Sequence, residues 1–120
     1  MKFKLLLFIL AKKLKAAAKS KPDYKKHLGL MQIKVLIKTA NGKIGRLFIF
    51  DRGTFTSVSS AGDQADVALI WADAATAFRV MTSKTSDADT FQAAADGKVR
   101  IEGMVPYLQW FTDGVELAMK

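Results

Sequence analysis

Seven consecutive apolar residues, Leu5–Ala11, lie between Lys4 and the basic stretch Lys12-Lys13-Leu14-Lys15. The run is far short of the roughly 20 residues that span a bilayer. Read as a helix at about 100° per residue, Phe3, Leu6, Leu7, Leu10, Leu14, Ala17 and Ala18 gather on one side. Lys4, Lys12, Lys15 and Lys19 gather roughly opposite, while Leu5, Phe8 and Ile9 fall on or beside the lysine side. The first turns are thus apolar nearly all round and the later turns amphipathic. Such a helix needs two surfaces to pack on: its own domain, and a membrane or a partner subunit. A secretory signal is the rival reading, with MKFK as its basic start and Ala16–Ala18 as its small residues. It is the weaker one, because Lys12, Lys13 and Lys15 stand where a signal normally lacks dense positive charge.

The charge of the whole chain reinforces this division. Residues 1–30 hold nine lysines against one acid, Asp23, whereas residues 31–120 hold ten basic and ten acidic residues. The net charge of +8 therefore resides on the leading segment. A basic arm of that kind seeks an anionic surface, with phospholipid headgroups the expected partner and nucleic acid disfavoured. The arm offers no arginine to read base edges, and its leucine run suits lipid better. With 120 residues the chain makes one domain with a real core.

After Pro22, residues 23–29 read as a linker, and the period then changes. Ile33, Val35 and Ile37 alternate with polar residues, as in a half-buried strand. Asn41-Gly42 signals a hairpin turn. IGRLFIF, TFTSVSS and ADVALIW read as three further strands, separated by Asp51-Arg52-Gly53 and Ala61-Gly62-Asp63. Short turns between all four predict an antiparallel meander. From Asp73 the helical period returns, with Ala74, Ala77, Phe78 and Met81 on one stripe and Asp73 as cap. Ser86 or Asp87 is placed to cap a second short helix that carries Phe91 and ends at Gly97. KVRIEG is a fifth strand, and Pro106 suits the first turn of a last helix whose inner face holds Leu108, Phe111, Val115 and Ala118. The layout predicts an α+β fold: a five-stranded, mainly antiparallel sheet covered on one face by helices, preceded by an amphipathic helix. The domain division expected is a helix over 1–21, a linker over 22–30 and a globular domain over 31–120.

Little in the sequence points to catalysis. There is no cysteine, and the lone His27 cannot supply a histidine metal cluster. It reads as a solvated linker residue. No nucleophile elbow, phosphate-binding glycine loop or zinc-protease motif occurs. Asp51, Asp63, Asp66, Asp73, Asp87 and Asp96 fall in turns or at helix ends, where aspartate bonds local backbone N–H groups. No catalytic residue, metal or cofactor is expected. The bulky apolar residues are the distinctive feature. They form either a filled aromatic core or one that leaves a tunnel for an apolar ligand.

Residues 62–103, GDQADVALIWADAATAFRVMTSKTSDADTFQAAADGKVRIEG, resemble the sterol carrier protein-2 (sterol-transfer) family in its small, single-domain bacterial type. The matching pieces are Ala65-Asp66-Val67 with Leu69 at the strand entry, Asp73 before a helix, and Gly97-Lys98-Val99-Arg100-Ile101-Glu102-Gly103. The resemblance extends over 31–118. It implies a non-enzymatic lipid carrier with a hydrophobic tunnel beneath its helices, for sterol-like, fatty acyl, phospholipid or isoprenoid ligands. The expected lining is Phe48, Phe50, Val67, Leu69, Trp71, Phe78, Met81, Phe91, Leu108 and Phe111. The expected membrane contacts are Lys4, Leu5, Phe8, Ile9, Lys12, Lys15 and Lys19. A cytoplasmic, peripherally membrane-associated protein follows from this reading. Its alternative is a scaffold with a filled core, pairing through the leading helix with a second copy or a membrane-associated enzyme.

Overall fold

The stripe of Phe3, Leu7, Leu10, Leu14 and Ala17 folds as foreseen, into helix α1 (Lys2–Ser20), with all five side chains buried. A computed structural model describes residues 2–62 and 64–119. Asp63, assigned above to a turn, lies outside the described residues. Pro22 does end α1, but it also opens a second helix, α2 (Pro22–Leu28), so the segment read as a linker is helical. The reason is local: proline lacks the N–H that a first-turn residue leaves unpaired, and its φ is already helical. Tyr24 and Leu28 anchor α2 in the core.

Five strands follow the expected segments: β1 (Gln32–Thr39), β2 (Gly45–Asp51), β3 (Thr54–Val58), β4 (Val67–Trp71) and β5 (Val99–Gly103). Helices α3 (Ala74–Met81) and α4 (Ser86–Ala95) lie between β4 and β5, and α5 (Val105–Met119) closes the chain. The sheet order is β3-β2-β1-β4-β5. The meander is therefore broken, because β4 pairs with β1, in parallel, and not with β3. Residues 59–66 carry the chain past β2 and β1. Ser60 N donates to Gly45 O (3.2 Å) and Lys38 Nζ to Ala61 O (3.2 Å). Asp66 N donates to Lys34 O (2.9 Å), and the Asp66 carboxylate accepts from Lys34 N (2.8 Å). Strands are spaced by about 4.8 Å, so the crossing spans about 15 Å, within reach of eight extended residues. The remaining pairs are antiparallel.

Register puts Ile33, Val35, Ile37, Phe48, Phe50, Phe55, Val67, Leu69, Trp71 and Val99 on one face. These join the buried residues of α1, α2, α3 and α5 in one core. The helices thus cover one face of the sheet, as predicted.

Two cap assignments separate here. Asp73 caps α3, its carboxylate accepting from Thr76 N at 2.7 Å. Ser86 and Asp87 do not cap α4. Thr85 occupies that position without a side-chain cap bond, and the Asp89 carboxylate instead accepts from Ser83 Oγ (2.6 Å) and Thr85 Oγ1 (3.2 Å). The Thr76 backbone N–H, then its hydroxyl, hold the Asp73 carboxyl below the usual carboxylate range. A lowered folded value means the cap's contribution is full above the unfolded pKa, about 3.9, and is lost as pH falls through the lower folded value. Asp73→Ala is expected to cost about 1 kcal/mol at neutral pH. That difference should shrink in acid-range denaturation curves.

Candidate functional site

Between α1, the start of α4, α5 and the sheet the core does not close. A half-open cavity of about 670 Å³ remains there, within the roughly 300–1,000 Å³ of small-molecule sites. Its floor is the inner face of the two central parallel strands, Ile37 from β1 with Leu69 and Trp71 from β4. Leu6, Ile9 and Leu10 of α1 form one wall, and Leu108, Phe111 and Val115 of α5 form the other. Met81 and the segment from Lys84 to Thr90 line the remaining side. Charge is confined to Lys13, Lys84, Asp87 and Glu116, two of each sign.

The wall geometry follows from helical spacing. On α1, Leu6, Ile9, Leu10 and Lys13 recur at three- and four-residue steps, and Leu108, Phe111, Val115 and Met119 do the same on α5. Each helix therefore aims one row of side chains at the gap.

Of the ten residues expected to line a tunnel, the structure brings five together on this cavity: Leu69, Trp71, Met81, Leu108 and Phe111. Phe48, Phe50 and Val67 are buried in the solid part of the core and do not border it. Phe48 packs edge-on against Phe111 (5.4 Å between ring centres), and Phe50 meets Phe55 and Trp110, each at 5.0 Å. Phe78 is half-buried with Lys2 Nζ 5.8 Å above its ring, and Phe91 is exposed. Sequence reasoning missed Ile37, Leu6, Leu10 and Val115. Their signal was present, since each sits on an inward face already identified.

The expected membrane residues all lie on the exposed side of α1, including Lys4, Lys12, Lys15 and Lys19. Leu5 is 58% exposed, Phe8 43% and Ile9 41%. Lys12 Nζ stands 5.0 Å over the Phe8 ring and the Arg46 guanidinium 5.6 Å from it. Ile9 belongs to both sets: exposed on α1, it also borders the cavity. No helix among the described residues is long and apolar enough to cross a membrane. Among them, too, no three His, Asp or Glu side chains gather to hold a metal ion.

His27 is not the solvated linker residue expected. Its ring stacks on Trp110 (5.0 Å, 18°) and Nε2 donates to the Trp110 carbonyl at 2.8 Å, while Trp110 Nε1 donates to His27 O at 3.3 Å. This reciprocal clasp ties α2 to α5 and so holds one cavity wall. Burial beside it pushes the Tyr24 phenol above its ordinary range.

No family model matches the sequence, and no curated protein matches it. Solved structures do. One described as "UbiJ-SCP2 Ubiquinone synthesis protein" is 16% identical over 99% of this chain and 96% of its own, with a TM-score of 0.68. A crystal structure of sterol carrier protein 2 is 15% identical over 92% and 93% of the two chains, with a TM-score of 0.63. The sterol carrier protein domain 2 of Helicoverpa armigera is 17% identical over 99% and 91%, with a TM-score of 0.64. TM-scores of 0.63–0.68 with near-complete mutual coverage establish that the chain has the sterol carrier protein-2 fold.

Proposed function

We propose that the protein binds one lipid-like molecule in the cavity between α1, α4, α5 and the sheet, and acts as a carrier without catalysis. The observation that supports this most is the cavity itself, lined by Leu69, Trp71, Leu108 and Phe111 and charged only at Lys13, Lys84, Asp87 and Glu116. A filled-core scaffold would have no use for such a space. Solvent extraction of the purified protein followed by mass spectrometry should recover a lipid, and the stripped protein should take up a fluorescent fatty acid. No lipid and no uptake would overturn the reading. Val115→Trp adds bulk from the α5 wall, where the half-buried Val115 borders the cavity. It should weaken uptake at least about tenfold while leaving the thermal midpoint within a few degrees. Unchanged uptake would move the ligand elsewhere.

The same reading includes docking on anionic membranes through α1. Leu5, Phe8 and Ile9 offer apolar area, and Lys4, Lys12, Lys15 and Lys19 flank it. Each lysine near an anionic leaflet contributes up to about 1 kcal/mol. Replacing these four exposed lysines by glutamate should lower binding to phosphatidylserine-containing vesicles at least about tenfold in a flotation assay. Equal flotation of both proteins would sink the docking proposal.

A further inference from the structure

Where α1 packs on β2, two cations share one aromatic ring. Lys12 Nζ and the Arg46 guanidinium carbon stand 5.0 and 5.6 Å from the centre of the exposed Phe8 ring. Arg46 is half-buried on the face of β2 that carries Phe48 and Phe50, and its Nη1 donates to Ser57 Oγ on β3 at 2.8 Å. Nε and Nη2 bond nothing among the described residues, yet neither is buried, so that edge of the group meets solvent. No carboxylate answers either cation. Arg52 and Arg100 are paired with Asp51 and Glu102 at 3.0 and 2.9 Å, whereas Arg46 and Lys12 have no ion-pair partner among the described residues. Helix α1 contains no acid, and Asp51 on β2 is engaged by Gln32 and Arg52. Two like charges beside one ring repel, and the ring face offsets each by only about 0.5–1 kcal/mol at exposed sites. An anion between them turns the repulsion into two attractions.

We propose that the Nε–Nη2 edge of Arg46 donates to two oxygens of one phospholipid headgroup phosphate, with Lys12 neutralising the same group. The inference rests on the reading that α1 docks on anionic membranes, and it adds to that surface a contact from the sheet. Nε and Nη2 are a pair of guanidinium nitrogens whose N–H bonds run parallel, the geometry that holds a phosphate through two bonds at once. A lysine in the same place would supply only a point charge. The Ser57 bond uses the nitrogen outside that pair and leaves the fork free. A lipid is the fitting source of the phosphate, because the exposed Leu5, Phe8 and Ile9 beside the two cations would bury nothing against a free ion. Lysines along one helix face leave the protein free to roll on a bilayer. A grip shared between α1 and β2 sets one orientation.

The test compares the full chain and its variants on vesicles of equimolar phosphatidylglycerol and phosphatidylcholine, since the only charge of the former lipid is its phosphate. Arg46→Gln should weaken binding about tenfold, or about 1.4 kcal/mol. Arg46→Lys keeps the charge and loses the parallel donors, so it should stay within about twofold of Arg46→Gln. Recovery to the native level with lysine would overturn the clasp, because general attraction needs charge alone. Lys12→Gln combined with Arg46→Gln should lose less than the product of the two single losses, as both side chains act on one phosphate. Independent losses would overturn that sharing. Native binding by Arg46→Gln would remove Arg46 from the surface and leave docking through α1 intact, whereas a native protein that ignores these vesicles would overturn both. A readout free of substitution comes from the chain labelled with 15N at arginine. Dihexanoylphosphatidylglycerol should move an arginine Nε–H proton downfield, and a spectrum in which none moves would sink the proposal.

Discussion

Deleting residues 1–21 is expected to leave a chain with no cooperative unfolding transition. Although α1 carries the surface charge, its inner stripe is part of the core: Phe3, Leu7, Leu10 and Leu14 are each buried. Each such side chain contributes about 1.5–3 kcal/mol, so the four together contribute roughly 6–12 kcal/mol. That rivals the entire stability of an ordinary domain, about 5–15 kcal/mol. The truncated chain would also uncover the inner faces of β2 and β3, against which α1 packs. Denaturant titration followed by near-ultraviolet circular dichroism checks this. A truncated protein that melts in one sharp step would show that α1 is an appendage. The expected result also means that truncation is no test of membrane binding, since a protein that binds nothing after losing its core says little about docking. Reversal of exposed lysines leaves the inner stripe in place.

Gly103→Ala should destabilise the sheet far more than the addition of one methyl group suggests. Gly103 ends β5 with φ of +95°, a conformation that costs a side-chain-bearing residue about 1–2 kcal/mol. A Cβ there would collide with the carbonyl oxygen of Asp66 and lie 3.0 Å from Val67 Cα. Neither neighbour is free to retreat. Asp66 O accepts from Met104 N, Asp66 N donates to Lys34 O, and Val67 is in register with Val35. Overpacking of this type costs typically 1–3 kcal/mol, so the sum is about 2–5 kcal/mol. Gly42→Ala supplies the contrast, because Gly42 has φ of +74° but open space around its Cα. It should lose only the conformational part, about 1–2 kcal/mol. Urea midpoints for the two variants separate strain from collision, and a Gly103→Ala midpoint equal to that of Gly42→Ala would remove the collision from the account.

Period carries information about faces, and that is what the sequence made legible. The inner stripe of α1, the alternation of β1, the Asp73 cap and the inward side of α5 all follow from spacing within one element. The position of β4 does not. Nothing in ADVALIW states that it will lie beside residues 35–39, because register with a distant strand is decided by what else competes for that edge. The helix α2 was lost for another reason: Pro22 both stops α1 and starts its successor, and the sequence shows one proline for the two events. The cavity shows the same limit. Inward-facing Phe48 and Leu69 look alike in sequence, yet Phe48 meets the Phe111 ring while Leu69 borders the cavity. A residue's direction is local, but a vacancy opposite it depends on side chains from three other elements. The His27–Trp110 clasp joins residues on α2 and α5 that no short-range pattern connects.

The parallel pairing of β1 with β4 has a consequence for the chain as a ribosome makes it. The hairpin formed by β1 and β2 can close once residues 32–51 have emerged, but the opposite rim of β1 must wait for residues 67–71. Until then the backbone groups of Lys34, Leu36 and Lys38 on that rim are an open template for any extended peptide nearby. Pairing of residues 67–71 closes that rim and passes the free edge to β4, which β5 (Val99–Gly103) covers only once it too has emerged.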